Sequence, residues 1–70
     1  MAVKGLGQTG RDRIKSLVRA GRHGSTVRKE IDLNVRTTSF DKQANLELVS
    51  WLRDHDYRET ADHLADCLRG

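Results

Sequence analysis

Residues 25–38 read STVRKEIDLNVRTT, and the period of their apolar positions decides whether the chain is wholly helical or carries a strand. Taken as a strand, Val27, Lys29, Ile31, Leu33, Val35 and Thr37 share one face, with Arg28, Glu30, Asp32, Asn34 and Arg36 on the other. Taken as a helix, Val27, Ile31 and Val35 stack at four-residue intervals behind Ser25 or Thr26 as a cap, and Leu33 points away. The β-branched content and the alternation of Ile31, Leu33 and Val35 favour a strand over 27–37. A lone strand has no partner within a chain this short, so that reading requires a second copy.

Upstream, residues 1–10 are small and glycine-rich and are expected to form a flexible arm. A first helix is expected from about 10 to 21, with Thr9 as cap and Asp12 three residues on approximating a capping box. Ile14, Leu17 and Val18 make its apolar stripe, and the glycines between Gly21 and Gly24 stop it. Arg11, Lys15, Arg19 and Arg22 line one flank, where like charges repel unless an anion is near.

Downstream, Ala44, Leu48, Val49, Trp51 and Leu52 recur at helical spacing, with Glu47, Arg53 and Asp54 opposite. Ser39 is the expected N-cap of this helix, Asp41 sits near the positive end of its dipole, and Phe40 staples its start. A second helix repeats the design with Ala61, Leu64, Ala65 and Leu68 inward. Two such stripes can bury only each other, so a second chain is the simplest source of further buried area.

Within this hairpin, LVSWLRDHDYRETADHL (48–64) resembles the LisH motif through Leu48, Trp51, Leu52, Tyr57, Thr60, Ala61 and Leu64. Asp56 departs from the glycine usual at that place, where a helix end often needs positive φ. The resemblance implies a dimerising helical hairpin without chemistry of its own. Its dimer interface would be Leu48, Trp51, Leu52, Tyr57, Ala61, Leu64 and Leu68, as seam or core. A strand followed by two helices also resembles the ribbon-helix-helix family of DNA-binding proteins, which implies a repressor or antitoxin reading bases through Arg28, Asn34 and Arg36. Glu30 and Asp32 on the same face, and the long gap from Val35 to the turn at Asp56, count against it. VRAGRHGSTVRKEI (18–31) is similar to the helix-turn-helix part of some antitoxins, in a shifted register.

The net charge of +3 conceals two unlike halves. Residues 1–36 hold nine Lys or Arg against Asp12, Glu30 and Asp32, whereas residues 37–70 hold four against seven acids. A basic half of this kind commonly neutralises phosphates. Its alternative is an ordinary solvated face. Cys67 is the only cysteine, which excludes an internal disulfide, and no long apolar run suggests a signal peptide or membrane span. A cytoplasmic setting follows, or a nucleoid or nuclear one for a nucleic-acid binder.

Gly5, Gly7 and Gly10 match G-x-G-x-x-G, but only MAVK precedes them and there is no room for a dinucleotide fold. His63 and Cys67 lie four apart, with His55 or Asp66 conceivable as a third metal ligand, yet paired ligands from a second segment are missing and no metal or cofactor is expected. His55 between Asp54 and Asp56 lacks a pocket, so no enzyme activity or small-molecule substrate is expected. Trp51 and Tyr57 fit a core or seam better than a base-stacking surface.

The expected protein is therefore a mainly α dimer of three to four short helices with an optional strand at 27–37. Residues 1–10 form an arm and 11–70 one domain, comprising a basic half (11–36) and a hairpin (41–69). Its partners would be itself and nucleic acid, or an acidic protein in place of nucleic acid. Arg11, Lys15, Arg19, Arg22, Arg28, Lys29 and Arg36 would make the electrostatic contacts.

Overall fold

The contested segment is a helix. In the computed structural model, which describes residues 3–70, the elements run β1 (Gly5–Leu6), α1 (Gln8–Arg19), α2 (Gly24–Asn34), β2 (Val35–Arg36), α3 (Lys42–Asp54) and α4 (Arg58–Arg69). The strand expected over 27–37 is confined to Val35–Arg36. Helix wins upstream of it because burying Val27 and Ile31, four residues apart, is enough to seat α2 on the core, while Leu33 stays 69% exposed. His23 caps α2, its Nδ1 accepting from the Ser25 N–H at 3.1 Å.

The short strand finds its partner inside the chain. β1 and β2 pair antiparallel, Gly5 opposite Arg36 and Leu6 opposite Val35, so no second copy is needed. Residues 5–10 thus belong to the fold, which corrects the flexible arm expected over 1–10 at those positions, and residues 1–2 of that expectation lie outside the described residues. Leu6 is fully buried, and the Lys4 N–H donates to the Cys67 carbonyl at 2.8 Å. Asn45 of α3 secures the Leu6 peptide units as a strand would. Its Oδ1 accepts from the Leu6 N–H at 2.7 Å, and its Nδ2 donates to the Leu6 carbonyl at 2.9 Å and to the Asp41 carbonyl at 2.7 Å. The Arg11 guanidinium donates to the same Leu6 carbonyl at 2.9 Å.

The G-x-G-x-x-G match is explained by packing. A Cβ on Gly5 would lie 2.4 Å from the Phe40 ring, and one on Gly10 would lie 3.3 Å from Leu6 Cδ2 and 3.4 Å from Asn34 Cβ. The glycines let β1 and the start of α1 approach their neighbours. The helix starts also differ from expectation. Gly7, not Thr9, precedes α1 and offers no side-chain cap. Asp41, not Ser39, caps α3, its Oδ1 accepting from the Ala44 N–H at 3.1 Å.

α1 and α3 end by the same device. Gly21 (φ 73°) donates to the Val18 carbonyl and Arg22 to Leu17, the paired bonds of a Schellman motif with glycine at the left-handed position. At the end of α3, Asp56 (φ 64°) donates to Arg53 and Tyr57 to Leu52 in the same pattern. The position expected to favour glycine does adopt positive φ, and Asp fills it.

The hairpin α3–α4 packs its stripes against the rest of its own chain. α2 lies on α4, and β1 touches α1, α3 and α4. Leu48, Leu52, Ala61, Leu64 and Leu68 are 0–3% exposed in a single chain, so the expectation that these stripes can bury only each other or a second copy is corrected. Trp51 and Tyr57 are half-buried.

Two substitutions test this architecture. Asn45→Ala removes the side-chain acceptor of the buried Leu6 N–H and one of the two donors to its carbonyl, and we expect a loss of about 1–3 kcal/mol in denaturant unfolding. Asp56→Gly relieves the left-handed strain, and after the entropy added to the unfolded chain we expect a gain of about 0.5 kcal/mol, or about 2–4 °C in Tm.

Candidate nucleic-acid interface

A ridge of cations four residues apart lies on one side of a helix, where a long anion can follow it. α1 is held so that Arg11, Lys15 and Arg19 run beside α3, because Ile14 and Val18 on its other side enter the core. Between α1 and α3 lies an open cleft of about 430 Å³ lined by Gln8, Arg11, Asp12, Lys15, Ala44, Glu47, Leu48 and Trp51. Trp51 presents its ring there. Lys15 Nζ lies 5.8 Å and the Arg19 guanidinium carbon 5.7 Å from the ring centroid, within cation–π range. His55, one turn on, stacks on the same indole with centroids 3.9 Å apart, and its Nδ1 lies 2.8 Å from the Trp51 carbonyl.

Ion pairing separates these cations from their neighbours. Arg13 donates to Glu30 at 2.9 Å, which holds the Glu30 carboxyl below its ordinary range and raises the Arg13 guanidinium. Arg28 is shared between Glu59 at 3.7 Å and the Thr60 hydroxyl at 3.4 Å. Among the described residues, no carboxylate lies within ion-pair distance of Arg11, Lys15, Arg19, Arg22, Lys29 or Arg36. Asp12 and Glu47 line the cleft without pairing to the ridge. Arg36 reaches toward the start of α1, its guanidinium about 3.5 Å from where a Gly7 Cβ would stand.

The seven expected contact residues thus divide. Arg11, Lys15 and Arg19 share the α1 ridge, and Arg36 lies near its first turn. Arg22 and Arg28 line a second concavity of about 460 Å³ with His23, Asp56, Tyr57, Arg58 and Glu59. There Arg58 is 3.7 Å from Asp56 and Arg28 is already paired, which leaves Arg22 as the one arginine of that concavity without a carboxylate in ion-pair distance. Lys29 is an exposed residue of α2. The Arg28, Asn34 and Arg36 face is not a single surface, because Arg28 turns to α4 while Asn34 donates to the Glu30 carbonyl at 2.7 Å.

The expected dimer-interface residues serve the chain's own core and turns. The Tyr57 hydroxyl donates to the Arg22 carbonyl at 2.6 Å, tying the α3–α4 turn to the α1–α2 turn. Buried Thr60 donates to the Gly24 carbonyl at 3.5 Å. Trp51 packs half-buried against the core, in keeping with its helical spacing, and it also lies under two cations, a proximity between α1 and α3 that no local pattern encodes.

His63 and Cys67 share a face of α4, and the third group beside them is Asp32 of α2, neither His55 nor Asp66. His63 Nε2 and Asp32 Oδ1 are 2.6 Å apart. Burial pushes the Cys67 thiol up in pKa, with Asp32 adding to the effect and Lys4 opposing it. Among the described residues no helix is long and apolar enough to cross a membrane. The chain matches no family model, no curated protein and no solved structure.

Proposed function

We propose that this is a non-enzymatic regulatory domain that binds the phosphate backbone of nucleic acid along α1, through Arg11, Lys15 and Arg19, with Trp51 as the aromatic wall of the same cleft. The observation that supports it is the row of cations without carboxylate partners beside a half-buried indole. From Arg11 to Arg19 the ridge rises about 12 Å along the helix axis, long enough to meet several phosphates in turn. The cation–π contacts restrain two long side chains in advance, which lowers the entropy lost on binding. Arg36, near the first turn of α1, would extend the same track. No donor pair on this ridge is fixed against a base edge, so the contacts position and neutralise rather than read sequence.

A single chain carries the whole proposed surface. The LisH-like dimer is not part of the proposal, because Leu48, Leu52, Ala61, Leu64 and Leu68 of its seam are buried within one chain and a second copy could reach them only by opening the core. We expect sedimentation equilibrium at micromolar concentration to give the 7.9 kDa of one chain, and a mass of twice that value would contradict this.

Trp51 is the only tryptophan, so its fluorescence reports on the cleft directly. We expect short DNA or RNA to change its emission and to bind with Kd of about 1–100 µM near physiological salt, with log K falling against log salt at a slope of about −3. Lys15→Glu with Arg19→Glu should reduce that slope by about 2 while circular dichroism stays helical. Binding that ignores salt, or that survives this double change in a folded protein, would overturn the proposal. An acidic protein partner would show itself as failure of nucleic acid to bind at low salt.

A further inference from the structure

α2 and α4 bring three metal-ligating side chains of different kinds to one place. His63 and Cys67, one turn apart, project from the same face of α4, and Asp32 approaches from α2. One ligand atom from each residue lies within 4.8 Å of the other two. A hydrogen-bonded carboxylate–imidazole pair across two helices would explain Asp32 and His63, whose Oδ1 and Nε2 are 2.6 Å apart. It gives no reason for a half-buried thiol to complete the triangle.

We propose that Asp32, His63 and Cys67 form a binding site for a zinc-class divalent cation, with a fourth position open to water. The donor set is a carboxylate oxygen, an imidazole nitrogen and a thiolate, the combination that borderline metals take. Around a tetrahedral ion with Zn–N and Zn–O near 2.1 Å and Zn–S near 2.3 Å, ligand atoms stand about 3.4–3.6 Å apart. Asp32 Oδ1 and His63 Nε2, 2.6 Å apart, have to open by about 0.8–1 Å. All three ligand atoms lie within 4.8 Å of one another, so no pair has to close by more than about 1.4 Å, and the Asp32 side chain is exposed. On binding, the Cys67 S–H bond breaks, the sulfur electron pair goes to the metal, and the proton leaves to solvent. His63 ligates as neutral imidazole through Nε2, exchanging its contact with Asp32 for a shared ion. The metal would tie α2 to α4 near the point where the Lys4 N–H, one residue before β1, meets the Cys67 carbonyl.

The site is independent of the proposed nucleic-acid surface on α1 and is tested separately. The full chain, kept reduced with a phosphine, is titrated with Co(II) and then Zn(II). We expect one Co(II) per chain, tetrahedral d–d bands, a thiolate-to-cobalt charge-transfer band, and loss of all three on adding Zn(II). Cys67→Ser should abolish the charge-transfer band. Asp32→Asn and His63→Gln should each weaken Co(II) binding by about tenfold or more. His23→Gln with His55→Gln should leave it unchanged, and helical circular dichroism of every variant checks folding. Absence of a charge-transfer band in the wild-type chain would overturn the proposal. So would full-strength binding in either Asp32→Asn or His63→Gln, because the thiolate would then be working with other ligands.

Discussion

The two peptide units flanking Leu6 are buried on side-chain hydrogen bonds, those of Asn45 to both units and that of Arg11 to the carbonyl. A two-residue strand has almost no pairing of its own, and an unpartnered backbone N–H or carbonyl in an apolar core costs more than such a strand returns. Asn45 supplies both an acceptor and a donor at Leu6, and a further donor to Asp41 at the start of α3. With those groups satisfied, Leu6 enters the centre of the molecule, where β1 meets α1, α3 and α4. The buried amide is therefore a gain in specificity. It fixes the position of α3 along β1, and through β1 the pairing with β2 that ends α2.

That interaction accounts for why the helical half of the architecture was legible in the sequence and the assembly was not. Helices α1, α3 and α4 follow from their apolar periods, and the stop at Gly21 from a glycine that only left-handed backbone requires. Residues 25–38 fit both periods, because Val27, Ile31 and Val35 recur every fourth position while Ile31, Leu33 and Val35 alternate, and the alternation favours a strand only if Leu33 is counted inward, whereas it stays in solvent. The role of GLGQTG was hidden because its partners, Phe40, Asn34 and Asn45, are remote in sequence. With the amino-terminal segment read as an arm, the hairpin has no cover within its own chain. The cover is β1 with α1 and α2.

The same long-range geometry sorts the basic half. The nine cations of the basic half are not equivalent once folded, since Arg13 pairs with Glu30 and Arg28 with Glu59, whereas Arg11, Lys15 and Arg19 have no carboxylate in ion-pair distance. Exposed pairs of this kind contribute little to stability. Arg11 belongs to both structure and surface, since it also donates to the Leu6 carbonyl. The proposed binding ridge is thus anchored at the same peptide that Asn45 holds. On the opposite side, Asp32, His63 and Cys67 were separable in sequence only as a pair and a stray acid, and α2–α4 packing makes them a cluster.

Native-state hydrogen exchange at the Leu6 amide tests the Asn45 linkage most directly. If β1 is an integral part of the core, that N–H is protected to nearly the free energy of global unfolding, alongside Leu52 and Leu64. Exchange of the Leu6 amide at the rate of an unstructured peptide, with Leu52 and Leu64 still protected, would mean that residues 5–10 form a free arm and that the core closes without them.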